Sequence, residues 1–165
     1  MKKLLVYISI FCLLTGCAAP ATAPSFASAK ATESRENRSV FYIYREYAEP
    51  TAWNTTIHID DKEVVSLPQQ SFSWVYLTPG KHKVASKWPF LSGQNDVEFS
   101  VEAAPDKTYF YEITGLSRAT GVGPSPAGLL IYYKMSSGMS GQEEAKAVPQ
   151  LESCCRYLAP KLDDF

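Results

Sequence analysis

Two histidines and two neighbouring cysteines are the side chains of this sequence best suited to acid–base or metal chemistry. His58 and His82 both fall in segments of strand composition, and the sequence places no partner beside either of them. Zinc sites and catalytic pairs need several such groups close together at characteristic spacings. The sequence has no G-x-S-x-G, H-E-x-x-H or P-loop motif. We therefore expect structural histidines, assign no catalytic residue, metal or cofactor, and predict that the chain is not an enzyme.

Cys154 and Cys155 are adjacent in the sequence. Neighbouring Cα atoms are about 3.8 Å apart, below the separation of roughly 4.4–6.8 Å that is usual in a disulfide. A bond between the two would strain a helix. Three interpretations stay open: small apolar residues on a helix, a bridge from one cysteine to another molecule, or a strained redox or metal site.

Cys17 has a different chemistry because of the residues that precede it. A positive start with two lysines leads into Leu4–Leu14, an apolar run of eleven residues. A membrane-spanning helix needs about 20 apolar residues, so this run is typical of a secretory signal. The sequence LTGC that follows resembles the lipobox of bacterial lipoproteins. The resemblance implies cleavage between Gly16 and Cys17, a diacylglycerol on the Cys17 thiol and acylation of its new amino group.

The signal-like run and the LTGC motif predict how the chain is divided and where in the cell the protein is located. Residues 1–16 are predicted to form the lipoprotein signal peptide. Residues 17–38 are rich in Ala, Pro, Ser and Thr, which predicts a lipidated cysteine followed by a flexible tether. Residues 39–165 are predicted to form one domain. Ala18 stands where an aspartate tends to retain lipoproteins in the inner membrane, so we expect an outer-membrane anchor and a domain facing the periplasm.

The charge of the chain argues against one class of partner. The full chain has 16 basic and 17 acidic residues, and residues 1–16 contain two lysines and no acid. Cleavage would therefore leave 14 basic and 17 acidic residues, a net charge of −3. The sequence also contains no basic stripe, so nucleic acid is not an expected partner.

Eight short segments have the β-branched and aromatic composition of strands. In the first, Phe41 and Ile43 point to one face while Val40, Tyr42 and Tyr44 point to the other, which is typical of a central strand. Turn residues separate the segments, as in Thr78-Pro79-Gly80. The eight segments are Ser39–Tyr47, Thr55–Asp60, Glu63–Leu67, Ser71–Leu77, Lys81–Trp88, Asn95–Ala103, Lys107–Gly115 and Gly128–Met135. The spacing predicts an all-β fold, an antiparallel β-sandwich of about 7–8 strands.

The C-terminal part of the sequence predicts a helix over about residues 140–159. Ser140 and Glu143 have the spacing of a capping box, and Pro149 should kink or restart the helix. Four apolar residues recur at helical spacing, namely Val148, Leu151, Cys155 and Leu158. We expect this face to cover one sheet face or an open sheet edge.

With the strands assigned, the pattern resembles a known family. VFYIYRE opens the domain, IHID begins a hairpin, and LTPGKHKV follows. These motifs resemble bacterial lipoproteins grouped as domain of unknown function 2846, and LTPGKHKV is also similar to PEGA-type β modules. The resemblance covers about residues 39–135, and Asp61 departs from the glycine expected in the first hairpin turn. It implies a β fold and an envelope location, and it implies no active site.

Two places in the sequence are candidates for binding. The stretch Gly115–Ala127 predicts a long loop, with Arg118 as its only charge, that is either a hairpin tip or a contact surface for a partner. Trp53 lies in a predicted loop and is the aromatic residue most suited to stacking on a sugar. We expect a non-enzymatic, membrane-anchored module that binds another envelope protein or has a structural role. The alternative is a module that binds peptidoglycan or another glycan.

Overall fold

The computed structural model describes residues 18–32, 35–126 and 128–165. Its strands are β1 (Ser39–Arg45), β2 (Thr55–Ile59), β3 (Lys62–Leu67), β4 (Ser71–Leu77), β5 (Gly80–Lys87), β6 (Val97–Ala103), β7 (Thr108–Ser125), β8 (Gly128–Gln142) and β9 (Arg156–Tyr157). Its helices are α1 (Phe26–Ala29) and α2 (Glu144–Cys154), with a 3₁₀ turn at Phe90–Ser92. Strands β1 to β8 correspond to the eight predicted segments.

The strands form two sheets, and the predicted all-β sandwich with a C-terminal helix is confirmed. One sheet has the order β8-β7-β1-β4-β9 and the other has the order β3-β2-β5-β6. The pairing is not wholly antiparallel as the sequence predicted, because β1 pairs with β7 and β4 pairs with β9 in parallel. β6 belongs to the four-stranded sheet, so the chain crosses to the five-stranded sheet between β6 and β7. β7 then lies beside β1 and runs in the same direction.

A hydrophobic core fills the space between the sheets. Phe41 and Ile43 of β1 meet Ile57 and Ile59 of β2, and each of the four side chains is almost fully buried. Burial of one such side chain stabilises the fold by roughly 1.5–3 kcal/mol. β1 lies between β7 and β4, which confirms the predicted central strand.

A second apolar cluster covers the outer face of the five-stranded sheet. Its buried members are Phe26, Tyr42, Tyr44, Phe72, Phe110, Ala147, Leu151 and Cys155. They come from α1, from the sheet and from α2, so α2 covers a sheet face as predicted. The rings of Phe26 and Phe72 lie 5.5 Å apart with an edge-to-face geometry, which is a favourable aromatic arrangement.

This cluster corrects the expectation of a flexible tether over the whole of residues 17–38. Residues 18–32 lie against the sheet, with Phe26 buried in the outer cluster. Trp74 Nε1 donates to the carbonyl of Ala29 at 2.7 Å, and the Ala31 amide donates to the Tyr42 hydroxyl at 2.8 Å. One large apolar side chain with two polar contacts outweighs the weak local preferences of a segment rich in Ala, Pro and Ser.

The helix α2 is shorter than the sequence predicted. It begins at Glu144, while Ser140 belongs to β8 and pairs with Glu112. The capping box therefore does not form, because the residues through Gln142 take their backbone partners from β7. The helix continues through Pro149 and ends at Cys154.

The predicted loop Gly115–Ala127 is wrong, because β7 extends as a strand to Ser125. β7 and β8 pair from Phe110↔Gln142 to Ser125↔Gly128, whereas the pairing of β7 with β1 ends at Glu112. The outer part of this hairpin is therefore a two-stranded ribbon. We call residues 116–125 and 128–136 the arm.

The strand registers define two ends of the sandwich. Arg45 pairs with Ser71, and the Arg45 side chain donates to the carbonyl of Leu67, the last residue of β3. The arm leaves the sandwich at this end, which we call the arm end. The opposite end holds the turns at Asp60–Asp61 and Thr78–Gly80 and the last residues of the chain.

Candidate functional site

The buried histidine His82 is part of a hydrogen-bonded group at the opposite end. Its Nδ1 lies 2.7 Å from the Asp60 carboxylate, and its Nε2 lies 2.9 Å from the carbonyl oxygen of Thr78. Both ring nitrogens of His82 therefore have a hydrogen-bonding partner in the fold. The Lys83 amide also donates to Asp60, at 2.9 Å. This arrangement fixes the β2–β3 turn against β5, as a structural histidine would.

The Asp60 carboxyl should make the free energy of unfolding depend on pH. Burial opposes ionisation of Asp60, but the hydrogen bonds from Lys83 and His82 outweigh it and lower the pKa of Asp60. A carboxyl whose pKa is lower in the folded state stabilises the fold above its unfolded pKa of about 3.9, and this is lost as pH falls through the folded pKa.

We therefore expect Asp60→Asn to lower the free energy of unfolding by about 1 kcal/mol at pH 7. The difference from wild type should shrink as pH falls below about 4. Urea unfolding across pH 3–7 measures it. Asp61→Asn is the matched control, because Asp61 occupies the same turn and also has a positive φ, while its carboxylate makes a solvent-exposed ion pair with Lys83. Equal effects of the two substitutions at pH 7 would contradict the role assigned to Asp60.

His58 is half-buried on β2, and its Nδ1 makes no hydrogen bond. The fold does not combine His58 with His82 or with the cysteines in a metal site. In the ranges 18–32, 35–126 and 128–165, no group of three or more His, Cys, Asp or Glu side chains could hold a metal ion.

Cys154 and Cys155 are joined in a disulfide at the C-terminal end of α2. The sequence left three interpretations open, and one of them was two small apolar residues on a helix, because a bond inside a helix would strain it. The structure differs since the helix ends at Cys154 and Cys155 has an extended backbone, with φ −114° and ψ 148°. Cys155 is buried in the outer cluster.

Trp53 lies at the arm end, in the segment that connects β1 and β2. Its side chain is 36 per cent exposed, and its carbonyl accepts a hydrogen bond of 2.7 Å from Arg45. Arg45 is fully buried and also donates to the carbonyls of Leu67, Ala48 and Pro50 at 2.7–3.0 Å. Burial lowers the pKa of Arg45 to about 10, so the guanidinium stays charged at pH 7. Arg45 thus holds residues 48–53 in one conformation, a role that the sequence did not indicate.

Glu49 fixes the base of the arm. Its amide donates to the carbonyl of Gly115 at 2.9 Å, and its carboxylate accepts from the amide and the hydroxyl of Ser117. These hydrogen bonds from Ser117 lower the pKa of Glu49. Arg118 is exposed one residue further along the arm and faces Lys134 across the ribbon. The two candidate binding residues, Trp53 and Arg118, therefore lie at the same end of the sandwich.

A groove on the outer face of the five-stranded sheet was not predicted. It consists of two cavities of about 220 and 270 Å³ that adjoin at Ala31, Val40 and Thr108. The first is also lined by Thr32, Arg35, Arg38, Asp106 and Lys107. The second is also lined by Phe26, Lys30, Tyr42, Phe110, Glu144, Val148 and Glu152. The sequence indicated this groove only through Phe26, the one large apolar residue in residues 18–38.

Polar and charged groups form the larger part of the groove surface, and apolar side chains form the smaller part. Val40, Phe110 and Val148 contribute apolar surface to it. Each cavity is smaller than the roughly 300–1,000 Å³ of a typical small-molecule site. A continuous groove of this kind suits an extended peptide segment better than a compact ligand.

Cys17 and Gly16, the predicted lipidation and cleavage residues, lie outside the described residues. No helix in the part of the chain that the structure describes is long and apolar enough to cross a bilayer.

No family model matches the sequence, and no curated protein is significantly similar to it. Membership of the domain of unknown function 2846 family, or of the PEGA-type modules, therefore stays a prediction from the motifs.

Proposed function

We propose that the chain is a lipid-anchored lipoprotein of the bacterial envelope whose β-sandwich binds a segment of another envelope protein. The proposal assigns no catalytic residue. Cys17 would carry the lipid, the outer membrane would receive it, and the domain would face the periplasm.

The groove is the observation that carries the binding part of the proposal. The second cavity lies between the N-terminal segment and α2, and the first adjoins it at Ala31, Val40 and Thr108. An extended segment of the partner would lie along both cavities. Apolar side chains of the partner would contact Val40 and Val148, which are both partly exposed. The second cavity has Lys30, Glu144 and Glu152 at its rim, so charges of both signs are available to fix the register of the segment.

The LTGC motif supports the anchoring part of the proposal. Two or three acyl chains hold a protein firmly on a bilayer, whereas one holds it only marginally. Because residues 18–32 pack on the sheet, the lipid on Cys17 would hold the domain close to the membrane rather than at the end of a long tether.

Photo-crosslinking in cells tests the groove. A benzoylphenylalanine in place of Lys30, at the rim, is expected to crosslink one envelope protein. Thr108→Trp should fill the groove where its two cavities adjoin and abolish the crosslink. Ser100→Trp is the matched control, since Ser100 is an exposed residue of β6 on the other sheet. Absence of any crosslink, or a crosslink that survives Thr108→Trp, would overturn the assignment.

Glycan binding is the second candidate function, and the exposure of Trp53 and Tyr47 in one connection favours it. Aromatic side chains stack on sugar rings through their flat faces. Co-sedimentation with purified peptidoglycan that is lost in Trp53→Ala would support this candidate. Co-sedimentation that is absent, or unchanged by Trp53→Ala, would remove it.

A further inference from the structure

The arm exposes an unusual amount of apolar surface. Val122, Leu129, Leu130 and Ile131 lie near its tip, and each is about half exposed or more, with Leu129 at 81 per cent. Adjacent residues of a strand point to opposite faces, so Leu129 and Ile131 lie on one face and Leu130 on the other. The apolar surface therefore surrounds the tip instead of forming one face.

Residue types change in order along the arm from its tip to its base. The aliphatic residues at the tip are followed by Tyr132 and Tyr133, both more than half exposed. Lys134 comes next and faces Arg118 across the ribbon. Aliphatic side chains, then tyrosines, then cations is the order in which a bilayer accommodates side chains, from acyl chains through the interface to the phosphates.

The charge of the arm differs from that of the rest of the protein. Residues 113–142 contain no Asp or Glu, and Arg118 and Lys134 are their only charged residues. The full chain has a net charge of −1. A cationic arm on an acidic protein is complementary to the anionic headgroups of a lipid surface.

Other exposed apolar residues lie at the same end of the sandwich. Tyr47 and Trp53 belong to the β1–β2 connection, and Phe90 and Leu91 belong to the β5–β6 connection. The hydroxyl of Ser137, near the base of the arm, donates to the carbonyl of Asn95 in that second connection. Among the described residues with large exposed hydrophobic side chains, Leu162 alone lies toward the opposite end.

The first described residue also lies at the arm end. Ala18 pairs with Gln69, just before the start of β4, and the Ala19 amide donates to the Gln69 carbonyl at 2.9 Å. The Gln69 side chain accepts from the amide of Ala48, next to the residue that fixes the base of the arm. A lipid on Cys17 would therefore enter the bilayer on the side to which the arm points. This point rests on the anchoring in the proposed function.

We propose that the arm is a second membrane contact, whose tip inserts into the lipid surface and holds the arm end of the sandwich against the bilayer. A second protein molecule with a flat surface would cover one face of the ribbon and leave the other face exposed. Lipid surrounds the tip and covers both faces.

The length of the arm limits the depth of insertion. Five residues separate Leu129 from Lys134, roughly 17 Å of strand at about 3.4 Å per residue. With Lys134 at the phosphates and the ribbon upright, the tip passes the headgroup layer, roughly 5–8 Å thick on each side of the bilayer, and extends about 9–12 Å into the hydrocarbon. The outer edges of a two-stranded ribbon have unpaired backbone groups that hydrocarbon does not solvate, so only the segment beyond the tyrosines inserts.

Vesicle co-sedimentation tests this contact without the lipid anchor. The chain Ala18–Phe165 contains both hydrophobic clusters and every described helix and strand. It is expected to bind vesicles of phosphatidylethanolamine and phosphatidylglycerol. Leu129→Ser/Leu130→Ser/Ile131→Ser should weaken binding about tenfold or more, while Leu162→Ser should not change it. All three side chains are exposed, so thermal unfolding midpoints should match wild type.

A charge reversal tests whether Arg118 and Lys134 contact the anionic headgroups. Arg118→Glu/Lys134→Glu is expected to weaken vesicle binding about tenfold or more, and added salt should reduce that difference. Lys81→Glu/Lys107→Glu, at the opposite end, is the control with the same change of charge and should have a smaller effect.

Fluorescence gives a separate measure of depth. The chain has three native tryptophans, so quenching by brominated lipids is compared with wild type. It should increase in Leu130→Trp and should not increase in Leu162→Trp. Wild-type protein that fails to bind vesicles, or serine variants that bind as wild type does, would overturn the proposal. So would a dimer in solution that the serine variants abolish, since a second copy would then be the occupant. Loss of the groove crosslink leaves these results unchanged, so the two proposals fail separately.

Discussion

Arg45→Met is expected to lower the free energy of unfolding by about 3–5 kcal/mol. Arg45 is 0 per cent exposed and donates to the carbonyls of four residues, Trp53, Leu67, Ala48 and Pro50. Methionine fills a similar volume and donates no hydrogen bond. Each buried carbonyl that loses its partner costs about 1–3 kcal/mol, and relaxation of the connection recovers part of that cost.

Two further variants separate charge from geometry in this prediction. Arg45→Lys keeps the charge, but an ammonium cannot reproduce the planar fork of the guanidinium, so we expect a loss smaller than that of Arg45→Met and still above 1 kcal/mol. Arg118→Met removes an exposed arginine and should change stability by less than about 0.5 kcal/mol. Urea unfolding followed by tryptophan fluorescence measures all three. The guanidinium lies 4.9 Å from the centre of the Trp88 ring, so this signal reports on the site. A loss below 1 kcal/mol for Arg45→Met would contradict the prediction.

Gly115→Ala is expected to destabilise the protein by about 3 kcal/mol. A Cβ on Gly115 would overlap the backbone carbonyl oxygen of Glu49. Backbone cannot move aside as a flexible side chain can, so the β1–β2 connection and the base of the arm would have to separate. That separation breaks the Glu49–Gly115 backbone hydrogen bond and the contacts of Glu49 with Ser117. Overpacking at such sites typically costs about 1–3 kcal/mol, occasionally more.

Gly121→Ala is the matched control in the same strand. No atom lies within 4 Å of a Cβ at Gly121, and alanine costs less backbone entropy than glycine in a strand. We expect its free energy of unfolding to be within about 0.5 kcal/mol of wild type. Hydrogen exchange at the Ser117 amide gives a local measure, and it should accelerate in Gly115→Ala alone. Similar stabilities for the two variants would show that the base of the arm tolerates separation.

The pattern of strands was predictable because it depends on neighbouring residues. Alternation in Phe41–Tyr44 predicted a central strand with both faces covered, and the structure confirms it. The Thr78–Gly80 turn was predictable for the same reason, since Gly80 has a φ of 129°. The hairpin at Asp60–Asp61 forms although neither residue is glycine, and both have positive φ. The lipobox is also a local pattern, and from it the sequence predicts the anchor on Cys17.

The arm and the start of α2 depended on pairing between distant residues. Glycine, serine and threonine in Gly115–Ala127 have weak strand preferences, which led to the prediction of a loop. β8 supplies partners for β7 along the whole segment, and pairing outweighs those preferences. Ser140 has the right spacing for a helix cap, but its place in β8 prevents that role.

The sequence by itself determined the strand segments and their turns, because period and turn chemistry are properties of short stretches. From motif spacing, another local property, it predicts a signal and an anchor. Only the tertiary structure decided the rest: the parallel pairing of β1 with β7, the burial of Arg45, and the packing of Phe26. Each of these brings together residues far apart in the chain or buries a group that is usually exposed. The stability of these contacts depends on the entropy cost of closing the chain between distant residues and on the side chains packed around them. A short stretch of sequence contains neither kind of information.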